Sequence, residues 1–216
     1  MLDLTPDEVL TTTRTVRKRL DYDKPVDRKT IEECLDIAFQ APNGSNMNTW
    51  RWIVVDDRDT VSDVARIYNE GLDAFVETLG DAVGENYMGS SIPGSERISE
   101  STEHLRQNIH RSPALLLPLM AGRTEGANVF FQASGYGSIL QAVWSFMLAL
   151  RTRGLGSAWT TGHLWREKEM ADRLGIPFDH YQQVGLFPIA YTIGSDFKPA
   201  WRKPASEVVG WNRFQA

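Results

Sequence analysis

The chain has 216 residues, of which 42% are hydrophobic and 24% charged, and its formal net charge is -5 at pH 7. These values predict one compact domain over residues 1–216, and the mild acidity argues against a general affinity for nucleic acid. The one cysteine, Cys34, excludes an intrachain disulfide and a cysteine-rich zinc site, so we expect a reducing, cytoplasmic environment. Residues 1–5 lack the basic start and apolar run of a signal peptide.

The first elements are predicted from capping residues and apolar spacing. Thr5, Pro6 and Glu8 form a capping-box pattern that begins a helix, and threonines at positions 11–13 weaken its end. Asp27 is predicted to cap a second helix, which ends before Pro42. A strand and a third helix are predicted to follow, at residues 51–56 and 60–79.

Residues 80–103 have no clear period and are rich in glycine, serine and acidic residues. We predict a long loop or mobile flap here, with residues 80–110 forming part of a cleft wall. Further elements are a strand at 114–119, a strand through Ala158 and Trp159, a helix at 165–174 and a last strand at 184–193. Helices and strands do not alternate strictly, which predicts an α+β fold with helices packed on one sheet.

Residues 128–150 contain no charged side chain and are long enough to cross a bilayer as a helix. Two glutamines, three serines and two glycines lower their hydropathy far below that of a membrane span. A helix without charge on any face is otherwise buried in a core or covered by a second subunit. We therefore expect a buried helix and a self-association surface, with no membrane partner.

A basic run, Arg14-Thr15-Val16-Arg17, extends to Lys18 and Arg19. One interpretation is a solvated basic surface; the other is an anion site. Arginine offers planar donors that bind a phosphate through charge-assisted hydrogen bonds, and the Thr15 hydroxyl adds a donor. A nucleic-acid patch is disfavoured because no other basic face accompanies the run.

The loop that precedes the first long strand is rich in amide side chains. Asn43, Asn46 and Asn48 lie between Pro42 and Trp50. A turn that ends the preceding helix explains the proline and the asparagines. Alternatively, each amide offers a donor and an acceptor, which suits a heterocycle edge such as the pyrimidine ring of a flavin. Trp50 itself is interpreted as a core residue.

A third segment, residues 154–163, ends a predicted strand with Thr160, Thr161 and Gly162. Such an end presents backbone groups to a ligand, and glycine permits close approach; an ordinary strand–helix connection has the same pattern. His163 and the other three histidines show no metal-ligand spacing, so no metal site is predicted. The motifs of a nucleophile elbow and of a phosphate-binding P-loop are absent from the sequence.

The order of these segments resembles the FMN-dependent nitroreductase family over about residues 8–212. That family has R-R-S-x-R, P-V and A-P-S-x-x-N-x-Q-P-W runs, and then an R-K-P run near the C-terminus. Here the corresponding segments are 14–17, 25–26, 41–50 and 202–204, with Gly154-Leu-Gly156 and Leu174-Gly-Ile-Pro177 between them. The chain departs from the pattern at Thr13, Asn43, Asn48 and Thr49, and no glutamate stands at positions 160–161.

The resemblance implies a nitroreductase-like sandwich, in which a mostly antiparallel sheet is packed by helices and the domain is completed by homodimerisation. It implies FMN at the subunit interface, with Arg14, Thr15, Arg17 and Arg202 at the phosphate and ribityl end. It also implies that the partner's loop, with Pro42, Asn43, Asn46 and Asn48, packs near the flavin ring. Thr161 and Gly162 are implied to lie beside the flavin N5 edge.

The activity that the resemblance implies is an NAD(P)H-dependent oxidoreductase that reduces nitroaromatics, quinones or similar electron-poor acceptors by a ping-pong mechanism. No catalytic side chain is assigned, because the hydride chemistry belongs to the cofactor. The same fold with another flavin reaction stays open: flavin breakdown, reductive dehalogenation, ene reduction or deazaflavin-linked reduction. So does a flavin-binding module without catalysis.

Overall fold

One six-stranded antiparallel sheet forms the centre of the part of the chain that the structure, a computed structural model, describes: residues 1–80 and 95–214. Its strands are β1 (Leu20–Asp21), β2 (Arg51–Val55), β3 (Ala114–Ala121), β4 (Leu155–Ser157), β5 (Tyr181–Gln183) and β6 (Phe187–Thr192). The order β1-β6-β3-β2 is hydrogen-bonded, β4 pairs with β6, and β5 pairs with β3. In the register of the long central pair, Ile53 lies opposite Leu117.

Helices pack on this sheet, which confirms the α+β prediction. They are α1 (Pro6–Thr12), α2 (Arg28–Ala38), α3 (Arg58–Leu79), α4 (Ser95–Asn108), α5 (Val129–Thr152), α6 (Glu167–Leu174) and α7 (Ala205–Val208). Short 3-10 turns lie at Gly44–Asn46, Ile109–Arg111 and Gly162–Arg166. None of the helices within these described ranges has the length and hydropathy to span a bilayer.

Alternate side chains of β3 enter two cores, because successive residues of a strand point to opposite faces. Leu116 packs with α2 and α5 on one face of the sheet. Leu115 and Leu117 pack with α3 and α6 on the other face. Cys34 is fully buried in the first core, and burial raises the pKa of its thiol to about 11. The sheet is therefore the middle layer of a sandwich.

The capping box of α1 is confirmed. The Thr5 side chain accepts from the Glu8 amide at 3.3 Å, and the Glu8 carboxylate accepts from the Thr5 amide at 2.8 Å. The hydroxyls of Thr11, Thr12 and Thr13 each donate to the carbonyl four residues back at 2.6 Å. Such back-bonding competes with the helix, and α1 ends at Thr12, which leaves the basic run outside it.

Two predicted elements need correction, and two short strands have no counterpart among the predictions. The prediction of a loop over 80–103 is wrong for residues 95–103, which belong to α4; residues 81–94 lie outside the described residues. The prediction of a strand through Ala158 and Trp159 is wrong by two residues, since β4 ends at Ser157. The short strands β1 and β5 were not predicted, because two or three residues carry no readable period.

The uncharged segment forms α5, whose two halves have different surroundings. From Ile139 onwards it supplies much of the first core, as a buried helix predicts. At its start Val129, Phe130 and Phe131 are 79%, 70% and 63% exposed in the single chain. Coverage of this end by a second subunit therefore stays a prediction. Gly135 permits close approach to β3, since a Cβ there would lie 2.6 Å from the Met120 sulfur.

Candidate functional site

A cavity of about 810 Å³ lies between α3, α4 and the segment that follows β4. We call it the Arg17 cavity. Its walls bring together Arg17, Thr161 and Gly162, three residues that the sequence singled out from two distant segments. Aromatic and further polar side chains complete it, among them Tyr68, Phe75, Trp159, Trp165, Ser99 and Arg106.

The path of the chain explains how Arg17 reaches Thr161. Thr15 forms a parallel bridge with Ser157, and the Val16 amide donates to the Ser157 carbonyl at 2.9 Å. The segment after α1 therefore runs beside β4 and ends at the same wall as residues 159–162. Gly156 permits this contact, because a Cβ there would lie 3.1 Å from Val16 and 2.7 Å from the Thr192 methyl.

The floor of the cavity is fixed by close packing between α3 and the turn at Gly162–Arg166. A Cβ at Gly71 would lie 2.2 Å from the Gly162 carbonyl oxygen, and one at Gly162 would lie 2.7 Å from Leu72. Both backbones can approach this closely because glycine has no side chain. The position of Thr161 relative to α3 is thereby set by backbone contact.

Trp159 is held in the wall by a ring contact and a hydrogen bond. Its ring stacks on Phe187 with centroids 6.2 Å apart, and its indole N–H donates to the Val184 carbonyl at 3.2 Å. It is 44% exposed, as is Trp165, whose ring meets Phe75 edge-on at 5.7 Å. The cavity thus offers flat apolar surface next to polar groups.

Arg17 is a half-buried cation. Its guanidinium donates to the Ser101 hydroxyl of α4 at 3.2 Å, and no carboxylate in residues 1–80 or 95–214 forms a salt bridge with it. Burial lowers the pKa of Arg17, yet an arginine stays charged at neutral pH. A desolvated cation of this kind favours an anionic ligand.

Helix α4 forms the wall of the cavity that contacts Arg17. Next to the Arg17 contact, Lys18 and Glu100 form an ion pair at 2.8 Å. Farther along the helix, Arg106 and Asp73 join α4 to α3 at 2.6 Å. Burial raises the pKa of Tyr68 on the facing helix, so its hydroxyl stays protonated at neutral pH. The cavity therefore contains donors of both kinds, charged and neutral.

His163 lies directly behind Gly162 and is fully buried. Neither of its ring nitrogens has a hydrogen-bond partner. Burial lowers the pKa of His163 to about 3, so the ring is neutral at pH 7. No group of three or more potential metal ligands occurs in the described ranges.

The asparagine loop lies elsewhere in the chain, beside a second cavity of about 400 Å³ that shares no lining residue with the first. Asn43 and Asn48 bond to each other: the Asn48 amide donates to the Asn43 Oδ1 and the Asn43 Nδ2 to the Asn48 Oδ1, both at 3.0 Å. Asn46 and Asn48 have φ near +50°, a conformation that asparagine tolerates. Much of their donor and acceptor capacity is therefore used within the loop.

Three of the four residues predicted at the phosphate and ribityl end do not line the Arg17 cavity: Arg14, Thr15 and Arg202. Arg14 donates to the Lys198 carbonyl at 2.6 Å. Arg202 is exposed and donates to the carbonyl of its neighbour Trp201 at 2.7 Å. Thr15 is exposed beside β4, and Pro42 is exposed in the loop. Trp50 is half-buried against the first core, as predicted, and stacks on Phe39.

Sequence reasoning missed the α3 and α4 walls. Tyr68, Leu72, Phe75 and Val76 all line the cavity, and their spacing of four, three and one residues marks one helix face. That spacing was readable, but it equally describes a core stripe. Ser101 and Arg106 had no readable signal, because the irregular composition of residues 80–103 concealed α4.

Comparison with known proteins agrees with this architecture. Residues 10–191 match the model of the Nitroreductase family. A BluB-like flavoprotein from Clostridium difficile 630 superposes with a TM-score of 0.71 at 16% identity, over 97% of this chain and 100% of that one. An iodotyrosine deiodinase bound to FMN and 3-iodo-L-tyrosine gives 0.69 at 20% identity, over 96% and 99%.

A third structure, an FMN- and NADPH-dependent nitroreductase from Sphigopyxis sp. strain HMH, gives a TM-score of 0.70 at 18% identity, over 98% of this chain and 100% of that one. At these identities the structural likeness concerns the fold. The family model covers most of the chain and agrees with the order of its motifs. The chain belongs to the Nitroreductase family.

Proposed function

We propose that this chain binds FMN in the Arg17 cavity and acts as an oxidoreductase. The observation that carries the proposal is the combination, in one cavity, of a cation without a carboxylate partner in the described ranges and flat aromatic walls. FMN combines a phosphate with a planar ring system, and guanidinium and aromatic groups bind these two parts respectively. The cavity volume lies within the range of roughly 300–1,000 Å³ that small-molecule and cofactor sites occupy.

When bound, FMN supplies electron-pair transfer from NAD(P)H to a nitroaromatic, a quinone or a similar electron-poor acceptor. The chain's own residues bind the cofactor and orient it. Arg17 and the protonated Tyr68 hydroxyl offer donors to anionic oxygens, while Thr161 and Gly162 border the ring. Donor and acceptor enter the same cavity in turn, so we expect ping-pong kinetics.

Arg14, Thr15 and Arg202 remain proposed ligands of the phosphate and ribityl end. The Arg14–Lys198 contact supports the last of these, because it brings the start of the C-terminal segment to the basic run. Asn43, Asn46, Asn48 and Pro42 remain proposed contacts of the ring. They are proposed to act on the flavin of a second subunit, since within one chain their loop faces another cavity.

A homodimer is part of the proposal. The exposed aromatic residues at the start of α5 and in the C-terminal segment favour a covered surface, because apolar patches of this kind mark interaction sites. A cytoplasmic location is proposed as well, since the single cysteine is a buried thiol.

The test is an absorption spectrum of purified protein after incubation with FMN and removal of free flavin, followed by anaerobic addition of NADH or NADPH. We expect a flavin spectrum that bleaches with at least one nicotinamide and returns when a quinone is added. A bound flavin that neither nicotinamide bleaches would support a different flavin reaction or a non-catalytic flavin-binding module. Protein that stays colourless would contradict the proposal.

A further inference from the structure

Two guanidinium groups lie close to the ring of Phe197, a residue just after β6. The Cζ atom of Arg19 is 4.2 Å from the ring centroid and that of Arg151 is 5.0 Å away. Two cations this close repel each other, and the faces of an aromatic ring attract both. The ring also packs on a small core formed by Val16 and Leu20. These contacts therefore attach Phe197, and with it the start of the C-terminal segment, to the domain.

The surrounding backbone is held by charge-assisted hydrogen bonds. Arg19 also forms an ion pair with Asp196 at 2.6 Å. Three arginines donate to carbonyl groups on both sides of Phe197: Arg19 to Ile193 at 2.8 Å, Arg151 to Ser195 at 2.9 Å and Arg14 to Lys198 at 2.6 Å. We call these arginines and Phe197 the arginine clamp.

Arg151 is the least accessible member, with 5% of its surface exposed. In the described ranges no carboxylate pairs with it; its donors reach the Thr12 hydroxyl at 3.1 Å and the Ser195 carbonyl. The end of α5 supplies a favourable dipole, but burying a cation without a counter-charge is costly. The contact with residue 195 is therefore a main stabilising interaction of this charge.

Gly194 makes the clamp possible. Its φ is +74°, and a Cβ there would lie 2.6 Å from the Arg19 Nη2 atom. A residue with a side chain would be strained in this conformation and would displace the guanidinium. The turn after β6 therefore requires glycine at this position, where the Arg19 guanidinium packs against it.

Beyond the clamp the chain leaves the domain. Among the described residues, the hydrogen bonds of positions 199–214 run within that segment, for example from the Val209 amide to the Ala205 carbonyl. Trp201 and Trp211 are 75% and 78% exposed. The clamp is therefore the attachment that determines where this segment, which carries Arg202, begins.

We propose that Phe197, Arg19 and Arg151 are positioning residues, which fix residues 193–198 and so direct Arg202 to the phosphate of FMN. This inference rests on the proposed function, in which Arg202 is a phosphate ligand. Arg14, expected from the sequence at the phosphate, also holds the backbone of the segment that bears Arg202.

A double-mutant cycle tests the inference through the Kd of FMN, measured by titration of FMN-free protein. Arg202→Ala is expected to raise Kd about 10- to 100-fold. Phe197→Ala is expected to raise it about 3- to 10-fold, and the double variant is expected to be no weaker than Arg202→Ala alone, because the clamp acts through Arg202. Effects that multiply in the double variant would overturn the inference.

Phe178→Ala is the matched control. Phe178 also lies under an arginine, Arg123 at 4.0 Å, but away from the C-terminal segment, so the Kd of FMN should stay unchanged. If Phe197→Ala does not fold, Arg151→Lys replaces it in the cycle, since lysine keeps the charge but not the planar fork.

Hydrogen exchange of FMN-free protein gives a second readout. The Ile193 amide donates to the Arg19 carbonyl at 2.8 Å and the Phe197 amide to the Ser195 carbonyl at 3.0 Å; in Phe197→Ala we expect both to exchange faster. Unchanged exchange rates of these two amides would overturn the claim that the arginine clamp fixes residues 193–198. Wild-type protein that binds no FMN would refute the proposed function instead, and the exchange result would still judge the clamp.

Discussion

Arg17 is a half-buried cation that lines the proposed cofactor cavity. We predict that Arg17→Ala weakens FMN binding about 10- to 100-fold, since a hydrogen bond to a charged group contributes about 1.5–3 kcal/mol. The FMN affinity of Arg17→Lys should lie between those of wild type and Arg17→Ala, because lysine keeps the charge but lacks the planar, two-pronged donor geometry of arginine. The measurement is the Kd of FMN by fluorescence titration.

Arg173→Ala is the control for this prediction, because it removes a cation from an exposed pair with Asp63 at 2.7 Å, outside the Arg17 cavity. Its Kd should stay within about twofold, as expected for an exposed ion pair. Equal FMN affinity for Arg17→Ala and wild type would remove Arg17 from the phosphate site.

His163 predicts an acid sensitivity. Its pKa is about 3 in the folded chain and near 6.5 when unfolded, so the unfolded state takes up a proton first as the pH falls. The stability is full above about pH 6.5 and is lost progressively towards pH 3, by at most about 1.4 kcal/mol per pH unit from this residue.

Urea unfolding between pH 7 and pH 5 measures this slope. His163→Leu should flatten it, because the titrating group is gone. His110→Ala, at an exposed histidine, should leave it unchanged. A slope that persists in His163→Leu would show that other groups cause the acid sensitivity.

At the residue scale, sequence reasoning singled out those residues of the Arg17 cavity whose neighbours along the chain form a recognisable run. Arg17, Thr161 and Gly162 belong to such runs and meet in one cavity. Tyr68 and Trp165 did not stand out, because their role depends on the packing of α3 against a turn nearly a hundred residues away. The pairing of Asn43 with Asn48 depends on backbone conformation, which composition does not reveal.

At the scale of elements, the contact between α3 and the turn at Gly162–Arg166 sets the cavity floor. We predict that Gly71→Ala destabilises the protein by about 1–3 kcal/mol, because its Cβ would meet the Gly162 carbonyl oxygen at 2.2 Å. It should also weaken FMN binding by displacing Thr161. Thermal unfolding and FMN titration measure the two effects.

Ser62→Ala, on an exposed position of the same helix, should change stability by no more than about 0.5 kcal/mol. If Gly71→Ala behaved like this control, the backbone contact would not be fixing the floor.

Capped elements with long apolar stripes were predictable, and elements defined by tertiary contact were not. Thr5 and Asp27 predict the N-terminal caps of α1 and α2, and the structure has both caps. Helix α4 carries little apolar periodicity, and its position depends on Arg17–Ser101 and Lys18–Glu100 contacts. No local pattern encodes partners more than 80 residues away.

For the molecule as a whole, the exposed start of α5 predicts self-association. Phe130→Asp should shift the protein towards the monomer and lower FMN affinity together, because it places a charge on an apolar surface proposed to be covered. Sedimentation velocity at several concentrations measures the mass.

Phe130→Leu keeps the surface apolar and should sediment like wild type. A wild-type protein that sediments as a monomer at micromolar concentration, or a Phe130→Asp variant with unchanged mass, would contradict a shared site built from two copies.

The most direct measurement of the central claim is a titration of FMN-free protein with FMN, followed by tryptophan fluorescence. Trp159 and Trp165 line the Arg17 cavity, so FMN bound there should quench them saturably, and Arg17→Ala should shift the titration to higher FMN concentration. Unquenched tryptophan emission, with FMN passing freely through dialysis, would contradict the account.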